Sequence, residues 1–468
     1  MAATGGGRAA TEEGHVTGTT TRPGLGRRLV ALAVILIIAG VVVVTVLAVF
    51  DRPFAVALEL ALMLLAVAAV WEWLTRTGGV RWVWGAVAAA AVVAVIALQL
   101  AAGWTALVSL LVRLALLGVA VALARVALGR DTRSLAAGET PGVRAPAAAR
   151  GTLIMNLKSG GGKAERFRLV EECRARGVEP VVLQPGDDLL RLAHEAVDRG
   201  ADVIGMAGGD GSQALVASVA AERGVPMVVV PAGTRNHFAL DIGLDRDDVV
   251  GALDAYGEAV ERRLDLADVN GRVFVNNVSL GLYAEIVSSP EYRDHKREIA
   301  LESLPEMLGP GSEPFDLRFA GPGGEVVRGA HVLQVSNDPY GTTATTMTSR
   351  PSVGTGLLGV FSLVVPDAAA ATRFVAALAA LHPELYDGFR QWSVPVFEVT
   401  SEGPVAVGLD GEALQMDPPL VFASRPGVLR LRLPARAIGY SPAARAVGVR
   451  GLLGLWKVVL GRPVPMGG

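Results

Sequence analysis

Four apolar stretches, at residues 29–50, 54–71, 82–102 and 104–128, follow one another with only short connections. Each approaches or exceeds the roughly 20 residues that a helix needs to cross a bilayer. Away from their ends they carry only Glu59 and Arg113 as ionisable groups, and a lone charge at that depth is costly enough to predict mutual neutralisation across the bundle. Buried helices of a soluble core would need polar faces, which these segments lack. The sequence therefore predicts a four-helix transmembrane bundle over 29–128. Trp71, Trp73, Trp82, Trp84 and Trp104 fall near the span ends, where interfacial aromatics belong.

Positive charges orient the bundle. Arg27 and Arg28 precede the first span, Arg76 and Arg81 separate the second from the third, and Arg125, Arg130 and Arg133 mark the end of the fourth. The positive-inside rule places the N-terminus, the central loop and everything after Arg130 in the cytoplasm. The expected location is thus the cell membrane, multi-pass, with a cytoplasmic soluble part. Residues 1–28 read as a disordered tail and 129–150 as a linker that keeps the soluble part near the bilayer.

The apolar excess, 51% hydrophobic against 19% charged, is confined to the first third; from Gly151 the chain has ordinary soluble character. A net charge of −2 gives no global basic field, which argues against a nucleic-acid partner. One cysteine, Cys173, excludes an intramolecular disulfide and a multi-cysteine zinc site.

Over 151–262, strands at 152–156, 180–183, 202–207 and 226–230 alternate with helices at 163–176, 187–199 and 213–223, the pattern of a parallel sheet covered on both faces. Ligands of such sheets sit at the carboxyl ends of the strands. Three unusual loops fall there. The first, Asn156-Leu157-Lys158-Ser159-Gly160-Gly161-Gly162-Lys163, lacks the residues of a Walker A loop but exposes backbone amides beside a helix start. The second is Gly208-Gly209-Asp210-Gly211-Ser212, where glycines admit a phosphate at a helix N-terminus and Asp210 calls for a bridging Mg²⁺. The third, Pro231-Ala232-Gly233-Thr234-Arg235-Asn236, offers Thr234 and Asn236 as phosphate donors.

Over 263–433 the pattern becomes antiparallel, with short strands at 272–277, 316–319, 325–335, 359–365, 396–400, 405–409 and 420–433, and helices at 291–308 and 367–381. The expected fold is therefore multi-domain: the bundle, an α/β nucleotide-binding domain, and an antiparallel β-sandwich. Residues 434–468 form a tail whose 446–462 stretch is basic and amphipathic, suited to the anionic leaflet or to docking on the core.

Taken in order, Asn156 to Gly160, Gly208 to Ser212, Gly233-Thr234-Arg235-Asn236, Leu264-Asp265-Leu266, Asn276-Asn277-Val278-Ser279-Leu280-Gly281, Asn337-Asp338-Pro339-Tyr340 and Asp410-Gly411-Glu412 resemble the diacylglycerol kinase catalytic domain family. More distantly they resemble sphingosine and NAD kinases. The resemblance spans about 152–433. It implies a cleft that holds ATP with Mg²⁺, a lipid acceptor in the second domain, Glu412 as the proton acceptor, and Asp210 and Asp265 as further catalytic residues. Asn156, Gly160, Gly208, Gly209, Asp210, Gly211, Ser212, Thr234 and Asn236 would bind the nucleotide; no metal ligand set is assigned. The chain departs from the family at His237, where an Asp is usual, and at Gly354-Thr355-Gly356-Leu357, which lacks the acid of a metal-binding turn.

The expected activity is a membrane-anchored lipid kinase that transfers the ATP γ-phosphate to a diacylglycerol-like hydroxyl. Its partners are the lipid, ATP and the bilayer, with a homodimer left open. A non-catalytic nucleotide or lipid sensor is the alternative. An NAD-kinase-like activity is disfavoured, since a soluble substrate gains nothing from tethering.

Overall fold

The computed structural model describes residues 23–76, 79–101, 103–128, 142–282, 284, 315–341, 349–379, 382–445 and 449–462. Residues 1–22 of the expected disordered tail (1–28), most of the linker and the helix at 291–308 lie outside these residues; the tail's last four residues are helical, because the first helix starts at Leu25.

The N-terminal part is four helices: α1 (Leu25–Asp51), α2 (Pro53–Thr75), α3 (Gly79–Ala101) and α4 (Trp104–Ala127). Pro53 opens α2 at a position where no amide is needed, which lets the chain reverse at once after α1. Three helices, over Leu25–Leu47, Pro53–Leu74 and Gly79–Leu98, are long and apolar enough to cross a membrane. The fourth is helical over 24 residues, but the side chains at 104–107, 109 and 110 lie outside the described set. Helices α2 and α3 pack as a hairpin, and α1 packs on α4. Large side chains such as Leu36, Phe54 and Val93 point outward, as lipid-facing groups do. Arg113 of α4 donates to the Thr45 hydroxyl of α1 at 3.5 Å. At one end Arg27 donates to the Ala127 carbonyl, which ties the start of α1 to the end of α4.

The soluble part begins with β1 (Val143–Ala145), inside the expected linker, and β2 (Gly151–Met155). There follow α5 (Lys163–Arg166), α6 (Leu169–Ala175), β3 (Glu179–Val182), α7 (Leu189–Asp198), β4 (Val203–Ala207), α8 (Asp210–Arg223), β5 (Met227–Val230) and the short α9 (His237–Asp241). The helix expected over 163–176 is two helices, because Arg168 adopts a left-handed φ of 52° between them. Strands β3, β2, β4 and β5 lie side by side in that order, all parallel. Side chains of β2, β4 and β5 are buried on both faces, hence their unbroken apolar runs.

Two long strands then bind the halves together. Strand β6 (Ala259–Val269) pairs antiparallel with β17 (Leu420–Pro434) from Val269↔Phe422 to Ala259↔Pro434, and β17 also runs parallel to β5 at Leu431↔Met227. The sequence boundary at 262 falls within β6, a strand that sequence patterning missed because the consecutive charges Glu261-Arg262-Arg263 break its apolar pattern. Between them come β7 (Arg272–Phe274), β8 (Asn277–Gly281), β9 (Arg318–Ala320), β10 (Val326–Arg328), β11 (Val332–Asn337) and β12 (Leu358–Leu363). Helix α10 (Ala368–Ala379), β13 (Phe389–Val394), β14 (Val396–Thr400), β15 (Val405–Leu409) and β16 (Glu412–Met416) complete the set. Strands β13 and β16 were not expected; β16 is a largely exposed edge strand without clear alternation. A six-stranded antiparallel sheet, β13-β12-β11-β8-β15-β16, faces the other sheet across a core that includes Val278, Leu280, Val335, Phe397 and Phe422.

Among the described residues, the soluble part and the tail pack on the bundle at two places. Helix α10 packs on α2, where Trp71 meets an aromatic cluster with Phe361, Phe374, Tyr386 and Phe389. At the C-terminus, beyond α11 (Pro442–Arg445), α12 (Val449–Val459) buries Leu455 and Val458 against Ala31, Val34, Ala120, Ala124 and Ala127 of α1 and α4. Arg28 closes this contact by donating to the Val459 carbonyl at 2.8 Å. The tail thus docks on the bundle. In its described part, the apolar face of α12 meets the small residues of α1 and α4. Leu455 is fully buried. Leu455→Ala should cost about 2–5 kcal/mol and lower the Tm in detergent by several degrees. An unchanged Tm would show that α12 is no fixed part of the bundle.

Candidate functional site

The three glycine loops leave the carboxyl ends of β2, β4 and β5, which are neighbours in the sheet, so their convergence follows from the strand order. In the first, Asn156 accepts the Lys158 amide at 3.0 Å and turns the chain, and Gly160 takes a left-handed φ of 56°. A side chain at Gly160 would run into the carbonyl oxygen of Ala232 in the third loop. Gly233 in turn lies against Gly209 of the second loop so closely that any Cβ there would overlap the Gly209 backbone. The first loop therefore touches the third, and the third touches the second.

The second loop starts α8 without a side-chain cap: Gly209 holds the N-cap position, which leaves the first amides of a 14-residue helix without a side-chain partner. Ser212 sits beside Gly208, its hydroxyl 3.6 Å from where a Gly208 Cβ would be. Gln213, which the sequence reading passed over, is buried and donates to the carbonyls of Met206 (2.7 Å) and Val230 (3.2 Å). It thereby locks the tips of β4 and β5 together. Asp210, expected to face phosphates through a cation, accepts the amides of His237 (3.0 Å) and Phe238 (3.1 Å). Its charge is met by the amino end of α9, which fixes the second loop to the third.

Asn236 is also a brace. It is buried, accepts the Gly233 amide at 2.9 Å and donates to the carbonyls of Pro231 and Gly233. Its side-chain amide is bonded inside its own loop; Thr234 is exposed at the loop tip.

From the opposite half, the turn between β15 and β16 reaches the same place. Glu412 brings its Oε1 to 2.6 Å from where a Gly211 Cβ would be. Among the described residues no hydrogen bond or ion pair holds this carboxylate. Two residues earlier, Asp410 accepts three consecutive amides, from Val275 (2.9 Å), Asn276 (2.9 Å) and Asn277 (3.1 Å). Burial pushes the Asp410 carboxyl up to about 7 against the pull of those amides, and the nearby Asp210 charge adds to the rise.

Asp265 does not join this group. Its carboxylate accepts the amides of Gly356 (2.5 Å) and Gly427 (2.7 Å), and its carbonyl accepts from Asn337. It anchors the 353–357 turn to the bulge in β17, and both carboxylate oxygens are used in that bracket. The same turn explains Thr355. Its hydroxyl and amide both donate to Asp338 Oδ1, at 2.6 and 2.7 Å, which ties the turn to the end of β11. Burial raises the Asp338 carboxyl to about 6.

Backbone amides at three strand tips suit the oxygens of a polyphosphate, and the absence of Cβ atoms at the contact points suits close approach. Among the described residues, no three His, Cys, Asp or Glu side chains are placed to hold a metal ion. A Mg²⁺ here would need phosphate oxygens and water for most of its octahedron, the usual arrangement for nucleotide-bound magnesium.

Comparison with known proteins agrees with this geometry. Residues 150–269 match the family model for the diacylglycerol kinase catalytic domain. A Pseudomonas fluorescens protein named "Probable lipid kinase YegS-like" is 28% identical over 265 residues, which cover 53% of this chain and 82% of that protein. A Pseudomonas aeruginosa protein of the same name is 26% identical over 298 residues, 60% of this chain and 94% of that one. A Bacillus subtilis diacylglycerol kinase is 37% identical, but over only 101 residues, 21% of this chain and 33% of that protein.

Proposed function

For a chain whose residues 150–269 belong to the diacylglycerol kinase catalytic domain family, we propose a membrane-anchored kinase that moves the γ-phosphoryl group of ATP to the hydroxyl of a diacylglycerol-like lipid. The observation that carries this reading is the meeting of three glycine turns with the unheld carboxylate of Glu412 at Gly211. Asn156, Gly160, Gly208, Gly209, Gly211, Ser212 and Thr234 line the phosphate side. Magnesium, carried in by the nucleotide, supplies charge neutralisation of the transferring group. Glu412 takes the proton of the attacking hydroxyl, and the uncapped amides of α8 stabilise the charge that grows on the phosphoryl oxygens. Asp210 acts by fixing α9 and the third loop in place.

Support for a neutral lipid acceptor comes from a cavity of about 80 Å³ lined by Gln334, Ser336, Tyr340, Phe361 and Gln391 among others. Its lining holds amides, hydroxyls and two aromatic rings, with no charged side chain to attract a phosphate head group. Phe361 also belongs to the cluster that Trp71 of α2 joins, which puts the cavity near the bundle and its bilayer. Among the described residues, α10 packs on α2 and α12 on α1 and α4 toward the arginine-bearing helix ends, in keeping with four spans and a cytoplasmic kinase.

The test is phosphoryl transfer from labelled ATP to diacylglycerol in mixed micelles by the purified full chain. Wild type should form phospholipid product, and Asp210→Ala should lower the rate about 30-fold through loss of two charge-assisted bonds. ATP binding with no transfer to any lipid would overturn the reading in favour of a sensor.

A further inference from the structure

Arg350 is fully buried, the largest side chain to be so among the described residues. Its Nε donates to Asp241 Oδ2 at 2.7 Å and its backbone amide to Asp241 Oδ1 at 3.2 Å. Nη1 donates to the carbonyls of Val275 and Asn337, both at 2.6 Å, and Nη2 to Asn276 Oδ1 at 3.0 Å. The Arg350 carbonyl accepts from the Ser441 hydroxyl. Dehydrating an ion pair is expensive, and stability alone does not account for one: well-packed apolar side chains often do as well. Geometry does account for it. The planar guanidinium holds several acceptors at fixed angles, which neither Lys nor an apolar residue can do.

What it holds is a closed circuit around the site. Asp210, in the second glycine loop, is bonded to the amino end of α9. Asp241 is the last residue of α9 and pairs with Arg350. Arg350 grips Val275 and Asn276. The amides of that same stretch are bonded to Asp410, two residues before Glu412. Glu412 returns to Gly211, one residue after Asp210. Every link but the last is a hydrogen bond or a covalent step, and Arg350 with Asp241 is the link that crosses between the two halves.

We propose that Arg350, through Asp241, is a positioning residue for the phosphoryl transfer: it sets the distance between the phosphate-binding loop and the proton acceptor. This rests on the kinase reading above. It touches neither nucleotide nor lipid, so its loss should misplace the base and leave the nucleotide cradle intact. Misplacement of reacting groups by about 1 Å can cost 10²-fold in rate.

The experiment compares Arg350→Lys, Asp241→Asn and the double variant, as full chains in detergent. It measures kcat and KM in the micelle assay, the Kd of a non-hydrolysable ATP analogue, and thermal unfolding. The expected result for each single variant is a folded protein whose kcat is lower by about 50-fold. The analogue Kd should stay within about threefold of wild type, since the cradle is untouched. The double variant should be no worse than either single one, because both remove one coupled link. Folded variants with near-native kcat would overturn the proposal, as would a loss seen only in KM or analogue binding. Failure of both single variants to fold would overturn it too, since Arg350 would then serve the fold alone. Absence of transfer by the wild type is read separately, before any variant, and strikes the kinase reading itself.

Discussion

Glu412→Gln should lower phosphoryl transfer by about 10³-fold, within the range known for loss of a positioned general base, while ATP analogue binding stays near that of wild type. Glutamine keeps the shape of the side chain and removes its ability to take a proton. The carboxylate is unusually exposed to this test, because no bond among the described residues ties it to the fold. Loss of activity therefore cannot be blamed on a broken brace, as it could for Asp410 with its three amides. The measurement is single-turnover transfer from labelled ATP at saturating lipid, with analogue titration alongside. If Glu412→Gln turned over within a few-fold of wild type, the proton acceptor would have to be sought elsewhere.

Gly233→Ala is the second large effect, and it falls on the nucleotide side. One methyl group here would meet the Gly209 backbone, and neither loop can yield by rotating a side chain. The third loop is held rigid by Asn236, which binds Gly233 from both directions. The second is held by Gln213 and Asp210. Separating the loops should weaken the ATP analogue by about 10²-fold, the scale of a 1 Å displacement of binding groups. The Tm should fall much less, since the sheet beneath is unchanged. An analogue Kd within threefold of wild type would mean that the loops do not meet over the nucleotide at all.

Much of this site could be read from the chain alone because its chemistry is local. Gly208 to Ser212 and Pro231 to Asn236 announce themselves by glycines at strand ends, and the strands that carry them are short apolar runs bounded by turns. The roles of individual side chains were less legible. Asp265 and Asn236 sit in motifs that suggest ligand contact, yet both end bonded to backbone. Nothing in a linear pattern tells a carboxylate aimed at a ligand from one aimed at the amide of a residue 91 or 162 positions away. Arg350 and Asp241 were invisible for the same reason: they are 109 residues apart, and neither stands in a motif. The docking of α12 on α1 likewise depends on two segments at opposite ends of the chain.

Strand β17 has a consequence for biogenesis. It is the last of the described strands; one of its edges pairs with β14 and then with β5, and the other pairs with β6. Until it emerges from the ribosome the sheet that joins the two halves is incomplete, so the nascent chain carries open strand edges for some 150 residues after β6. By then the N-terminal helices have long since left the tunnel. The sheet that joins the two halves of the soluble part is thus closed only after every helix of the bundle has been made.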